Sequence, residues 1–157
     1  MIKGNSISGD KTAQIELWSN IGTFVQRFVS VSRLNARKSG LTLTRAWILQ
    51  VISQRKEMTA TELSNYTGTT PPTITDILES LVKTRCIIKN RNAEDGRKLV
   101  VSVSETGSER LRKFLELQQT FVERIEKTAD KDFLDKLPEV FRTLVRVTAS
   151  FSLDDQL

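Results

Sequence analysis

Apolar residues recur at helical spacing through the first quarter of the chain. Between residues 12 and 38, Leu17, Ile21, Phe24, Phe28 and Val31 fall three or four apart, with Trp18, Val25 and Val29 widening the stripe. No proline interrupts the run, so the spacing predicts one long amphipathic helix. Gly40 lies just beyond it as a stop, and Arg37 and Lys38 in the last turn suit the negative end of the helix dipole. A second helix is expected over about 44–54, with Trp47, Ile48, Val51 and Ile52 on its apolar side.

The middle of the chain changes rhythm. Thr59-Ala60-Thr61-Glu62 is a capping-box sequence, so a short helix should begin near Ala60 and run to about Tyr66, with Gly68 supplying a turn. Thr70 is expected to cap the next helix, with Pro71 at its first position, where a missing N–H is harmless. Ile74, Ile77, Leu78 and Leu81 then fall at i, i+3, i+4 and i+7, leaving Thr73, Thr75, Asp76, Glu79 and Ser80 facing outward. Ile87 and Ile88 start a strand, Leu99, Val101 and Val103 alternate on its return, and the stretch Asn92-Ala93-Glu94-Asp95-Gly96 between them carries an Asp-Gly turn signal.

Two more helices close the chain. Ser104 caps a long one over about 104–127, carrying Leu111, Phe114, Leu115, Phe121, Val122 and Ile125. The last, over about 131–151, shows Phe133, Leu137, Val140, Phe141, Leu144, Val147 and Phe151; Pro138 either kinks it or marks its true start. The order of elements predicts a mainly α fold with a small β-hairpin wing. A winged helix-turn-helix over 41–104 is flanked by an N-terminal helix in 1–40 and helices in 105–157. A winged domain does not need those terminal helices for its own core, so their stripes point to packing across a homodimer. An intramolecular helical bundle is the alternative.

Composition narrows the class. The 157 residues suit one domain of ordinary size, and 38% hydrophobic with 27% charged residues fits a soluble, helix-rich chain. No apolar run approaches the roughly 20 residues that span a bilayer. The start, MIKGNSISGDKT, is polar and lacks the apolar segment of a signal peptide, so a cytoplasmic protein with no membrane partner is expected. With no histidine and one cysteine, His-based acid–base chemistry, a familiar zinc site and an internal disulfide all fall away. No GxGxxG or Walker-type loop is present. Neither an enzyme nor a bound cofactor is expected.

Charge points to a polyanion. The net charge is +5, and residues 83–98 hold six basic residues (Lys83, Arg85, Lys89, Arg91, Arg97, Lys98) against two acids. Such a cluster binds nucleic acid by counterion release, although a solvated face has the same composition. In a helix-turn-helix the second helix enters the major groove N-terminus first, which brings Thr70, Pro72, Thr73 and Thr75 to the base edges of double-stranded DNA. The helix N-terminus itself favours a phosphate. No Arg, Asn or Gln stands on this face for a bidentate base contact, and Asp76 and Glu79 repel phosphates, although a carboxylate can accept from a cytosine amine. Arg97 and Lys98 leave the hairpin turn and Arg91 enters it, placed for the minor groove, with Asp95 expected to hold an arginine by a charge-assisted hydrogen bond. The competing reading is a winged-helix protein-interaction module that has lost DNA reading.

Cys86 reads as a small buried apolar residue; a redox switch is the alternative if it is exposed near Lys83 and Arg85. Trp18 and Trp47 read as core, or else as the lining of a cleft for an aromatic ligand.

The stretch 41–107 resembles the MarR family of regulators. The residues that carry the likeness are LTLTRAWILQVI, then ATELSNYTGTTPPTITDILESLVK, then Asp95-Gly96-Arg97 leading to VVSVSETG, where Ser104-Glu105-Thr106-Gly107 fits the family's Thr/Ser-x-x-Gly helix start. The resemblance implies a homodimer on a pseudo-palindromic operator, usually a repressor, often released by a small phenolic or other apolar effector. It also implies that Asp95 braces the wing while Arg97 contacts DNA. Three positions depart from the pattern: Arg85 stands where glycine is usual after the reading helix, Asp76 where a basic residue is common, and Gly96 in place of the basic middle residue of the wing motif.

Overall fold

The computed structural model describes residues 10–93 and 95–150, the last two as backbone only. Phe151 of the last stripe, Glu94 of the turn and the polar start before Asp10 lie outside the described residues. Helix α1 spans Lys11–Lys38, α2 Leu43–Arg55, α3 Ala60–Thr67 and α4 Pro71–Lys83. Strands β1 (Glu57–Met58), β2 (Ile87–Arg91) and β3 (Leu99–Val103) form one antiparallel sheet in the order β1-β3-β2. Helices α5 (Glu105–Thr128) and α6 (Lys131–Ser150) follow. The chain divides into two compact units, Met1–Leu117 and Gln118–Leu157.

Local chemistry explains most boundaries. Asp10 caps α1 by accepting from the Thr12 N–H at 2.9 Å, and Gly40, at φ 72, turns the chain out of it. The expected capping box is formed in α3. Glu62 N–H donates to Thr59 Oγ1 at 3.2 Å, and Thr59 N–H donates back to Glu62 Oε2 at 2.7 Å. That N–H, followed by the Thr59 hydroxyl, holds the Glu62 carboxyl below its ordinary pKa; Lys98 of the wing adds a smaller pull. The stability this adds is present above the ordinary carboxylate value and is lost as pH falls through the lowered one.

The end of α4 settles the role of Arg85. Cys86 N–H donates to the Leu81 carbonyl at 2.8 Å and Arg85 N–H to the Val82 carbonyl at 2.9 Å. This pair of bonds is a Schellman closure, which requires a left-handed residue between helix and strand. Arg85 supplies it at φ 56. The chain keeps the geometry that glycine usually provides and accepts the strain. Arg85→Val is expected to lower stability by about 1–2 kcal/mol, because a β-branched side chain is poorly tolerated there. Arg85→Gly should be at least neutral; chemical denaturation of both variants checks the pair, and equal losses would remove the strain argument.

Strand β1 is not foreseen by the pattern. It is two residues long, too short to show alternation, and exists because β3 offers it an edge, Glu57 opposite Ser102 and Met58 opposite Val101. Pro138 lies inside α6 rather than at its start; the helix begins after Asp130, whose carboxylate accepts from the Phe133 N–H at 2.8 Å.

The core of the first unit gathers Ala36, Leu41, Ile48, Leu49, Ile52, Leu63, Ile74, Leu78, Leu81, Cys86, Ile87, Val101, Leu111 and Phe114. Fully burying an aliphatic side chain stabilises by roughly 1.5–3 kcal/mol, so Ile74 and Leu81 anchor α4 firmly at both ends. The terminal stripes are different. In α1 only Ser32, Asn35 and Ala36 are buried, and Leu17, Ile21, Phe24, Phe28 and Val31 stay exposed in the single chain. In the second unit Phe133, Val140, Phe141, Leu144 and Val147 of α6 are exposed as well.

Candidate nucleic-acid interface

Helix α4 buries Ile74, Leu78 and Leu81, and at 100° per residue this fixes what it shows outward. Pro72, Asp76, Glu79 and Lys83 form the central ridge, with Thr75 on one flank and Thr73 on the other; all six are exposed. Thr70 occupies the cap position without capping. Its hydroxyl makes no bond to the helix N–H groups and pairs instead with Thr73 Oγ1 at 2.9 Å. Thr75 Oγ1 donates to the Pro71 carbonyl at 3.0 Å. Pro71 and Pro72 have no N–H, so the helix start lacks two of the donors a bound phosphate would use, which weakens the expected phosphate site.

The wing is braced by its own main chain. Asp95 Oδ1 accepts from the Arg97 N–H at 3.1 Å, and the Asp95 N–H donates to Asn92 Oδ1 at 2.9 Å. Asn92 N–H donates to the Lys98 carbonyl, and Asn92 Nδ2 reaches Glu57 Oε1 of β1 at 3.3 Å. Asp95 therefore holds the backbone of Arg97 and a loose ion pair with Lys98 at 3.7 Å, not an arginine side chain. Arg91 folds back to donate to the Gly96 carbonyl at 3.0 Å. It stiffens the turn from the residue opposite Leu99. Lys83, Lys89, Arg97 and Lys98 stay exposed. Sequence reasoning missed Asn92 and Glu57; the Asn-x-x-Asp spacing was the available signal for the first, and nothing local signals the second.

A family model described as "Transcriptional regulator SarA/Rot" matches residues 30–114, more than half of the chain and all of the interface just described. The chain belongs to the SarA/Rot family of transcriptional regulators. Solved structures agree on the fold. FabT from Streptococcus pneumoniae in complex with DNA superposes with a TM-score of 0.79 at 15% identity, covering 88% of this chain and 99% of that one. The C80S mutant of MarR from E. coli complexed with operator DNA gives 0.70 at 18% identity, covering 87% and 99%. YusO from Bacillus subtilis gives 0.66 at 13%, covering 88% and 98%. No curated protein sequence matches the chain. The mainly helical winged-helix fold expected from the pattern is thus what the structure shows, its likeness to MarR being one of fold, and the matched family is one of transcriptional regulators, not enzymes.

In this SarA/Rot-family chain the apolar reading of Cys86 stands, and the core reading of both tryptophans changes. Cys86 is 0% exposed, packed where α4 meets β2, with its thiol between the Thr84 hydroxyl and carbonyl. A redox switch needs a reachable thiolate, and burial removes that condition. Trp18 is 76% exposed and Trp47 42%, so neither is core within the single chain. Amphipathic spacing marked both as apolar but could not say what covers them. Among the described residues no cluster of three or more potential metal ligands occurs, and no helix is long and apolar enough to cross a membrane.

Proposed function

We propose that this regulator binds double-stranded DNA as a homodimer and acts as a repressor at a pseudo-palindromic operator. Each protomer lays α4 in the major groove of one half-site, with the β2–β3 wing at the flanking minor groove. The observation that carries the reading is the exposed, rigidly anchored α4 set beside a braced hairpin that presents Arg97 and Lys98. Thr70, Pro72, Thr73 and Thr75 face the bases, Lys83 and Lys89 meet phosphates, and Arg97 enters the narrow groove. Residues 41–104 do the reading; 1–40 and 105–157 join the protomers through the exposed stripes of α1 and α6. A repressor of this build is released by a small apolar or phenolic effector that favours a dimer whose two α4 helices miss the half-site spacing, with Trp18 and Trp47 as candidate contacts. Such a regulator works in the cytoplasm, where the DNA is.

The test is a titration of random-sequence duplexes at two salt concentrations, with selection and sequencing of the bound fraction. Enrichment of an inverted repeat with half-sites about 34 Å apart supports the dimeric operator reading. Salt-sensitive binding without enrichment leaves a non-specific binder. No binding at either salt by folded protein moves the chain to the second reading, a protein-interaction module, which the acidic residues at the centre of the α4 ridge favour.

Arg97→Ala is expected to weaken binding by about 1–3 kcal/mol if the side chain lies in the groove, and by less if it only meets phosphate. Fluorescence anisotropy on the selected duplex checks it. Wild-type affinity would take the wing tip out of the mechanism.

A further inference from the structure

We infer that the first turns of α4 read amino groups and methyls in the major groove, the edges of cytosine, adenine and thymine, and make no guanine contact. The inference rests on the DNA-binding reading above and deepens it. Base edges are told apart by donors, acceptors and the thymine methyl; guanine shows two adjacent acceptors, while cytosine and adenine each show an amino donor. A guanine reader must therefore bring two donors side by side.

The described geometry of α4 leaves few. Thr75 has committed its only hydroxyl proton to the Pro71 carbonyl. Thr70 and Thr73 share one bond, so that pair keeps a single proton to give. Pro71 and Pro72 offer no N–H. At the centre of the ridge stand the exposed carboxylates of Asp76 and Glu79, which offer acceptors and no donor. The face also carries apolar surface, the Pro72 ring and the threonine methyls. Acceptors and methyls are thus aligned where a groove-bound helix meets the bases, and their complement is an amino group or a thymine methyl. Lys83, the one cationic side chain on the ridge, is three turns from the helix start.

Asp76 gives the decisive consequence. An acidic side chain in the groove lowers affinity for every duplex through the phosphates, yet it rewards a cytosine or adenine amine placed beneath it. Its removal must push affinity and selectivity in opposite directions. Asp76→Ala is expected to bind random duplex more tightly, by roughly two- to tenfold, since one phosphate-repelling charge is gone. The same variant should lose base preference at one position of each half-site. On the selected operator, deoxyuridine in place of thymine should cost roughly five- to tenfold where Pro72 and Thr75 pack, and 7-deazaguanine in place of guanine under α4 should cost nothing.

The experiment runs the random-duplex selection with wild type and Asp76→Ala side by side, then measures the base-analogue operators by anisotropy. The expected result is tighter random binding with a blurred half-site position for the variant. An unchanged selected sequence for Asp76→Ala, or a tenfold loss with 7-deazaguanine, overturns the inference and leaves operator binding standing. Absence of duplex binding by the wild type overturns both together.

Discussion

Gly107→Ala is expected to lower the melting temperature by roughly 6–12 °C, corresponding to a loss of about 3 kcal/mol in a chain of this size. Position 107 is the last residue of the Ser-x-x-Gly motif, and the structure shows why it must be bare. A β-carbon there would sit 2.0 Å from the carbonyl oxygen of Cys86, and 2.9 Å from both its carbonyl carbon and Val103 Cγ1. The carbonyl cannot swing aside at low cost, because it accepts from the Ser104 N–H at 3.0 Å. Ser104 in turn donates its hydroxyl to the Arg85 carbonyl at 2.6 Å and accepts from the Gly107 N–H at 3.0 Å. The motif thus ties the start of α5 to the corner where α4 gives way to β2. Any shift that admits a methyl group must break this knot or move the reading helix. Ser108→Ala, one exposed residue further on, is the control and should stay within about 0.5 kcal/mol of wild type. Thermal unfolding by circular dichroism reads both; a Gly107→Ala melting point within 2 °C or so of wild type would remove the close-approach argument.

Much of this fold was legible from local chemistry. The capping box at Thr59, Pro71 at the helix start, the i, i+3, i+4, i+7 run from Ile74 and the Asp-Gly turn all act within a few residues, and each produced the element it predicted. Arg85 was legible as a problem, a non-glycine where a left-handed turn is needed, and the Schellman bonds show which way it was solved. What escaped depends on partners distant in sequence. Strand β1 exists only because β3 lies beside it, and Asn92 finds Glu57 across 35 residues. Sequence places the Asp95 carboxylate beside an arginine, and only the folded turn shows that the bond goes to the Arg97 main-chain N–H. The hydroxyl protons of Thr70, Thr73 and Thr75 are the sharpest case. Threonine can donate or accept, and only the folded helix start shows how many of those protons are already spent.

The apolar stripes of α1 and α6 lead to the second large effect. Phe28→Asp is expected to convert the protein to a monomer and to cut operator affinity by about two to four orders of magnitude, the factor gained when two linked half-site contacts act together. Phe24 and Phe28 stack at 5.8 Å between ring centroids and are 40% and 39% exposed, in a stripe that continues through Val31. Exposed apolar faces this long are rare on monomers and mark association surfaces. Burial in α1 begins only at Ser32, so an aspartate at 28 leaves the winged core untouched while placing an unpaired charge in any surface that covers the stripe. Sedimentation velocity across micromolar concentrations gives the mass, and anisotropy on the full operator and on a single half-site gives the affinities. The variant should bind the half-site as wild-type protomers do and lose only the gain from the second. A wild type that sediments as a monomer, or a monomeric Phe28→Asp that holds the full operator as tightly as wild type, would disconnect the terminal helices from DNA binding.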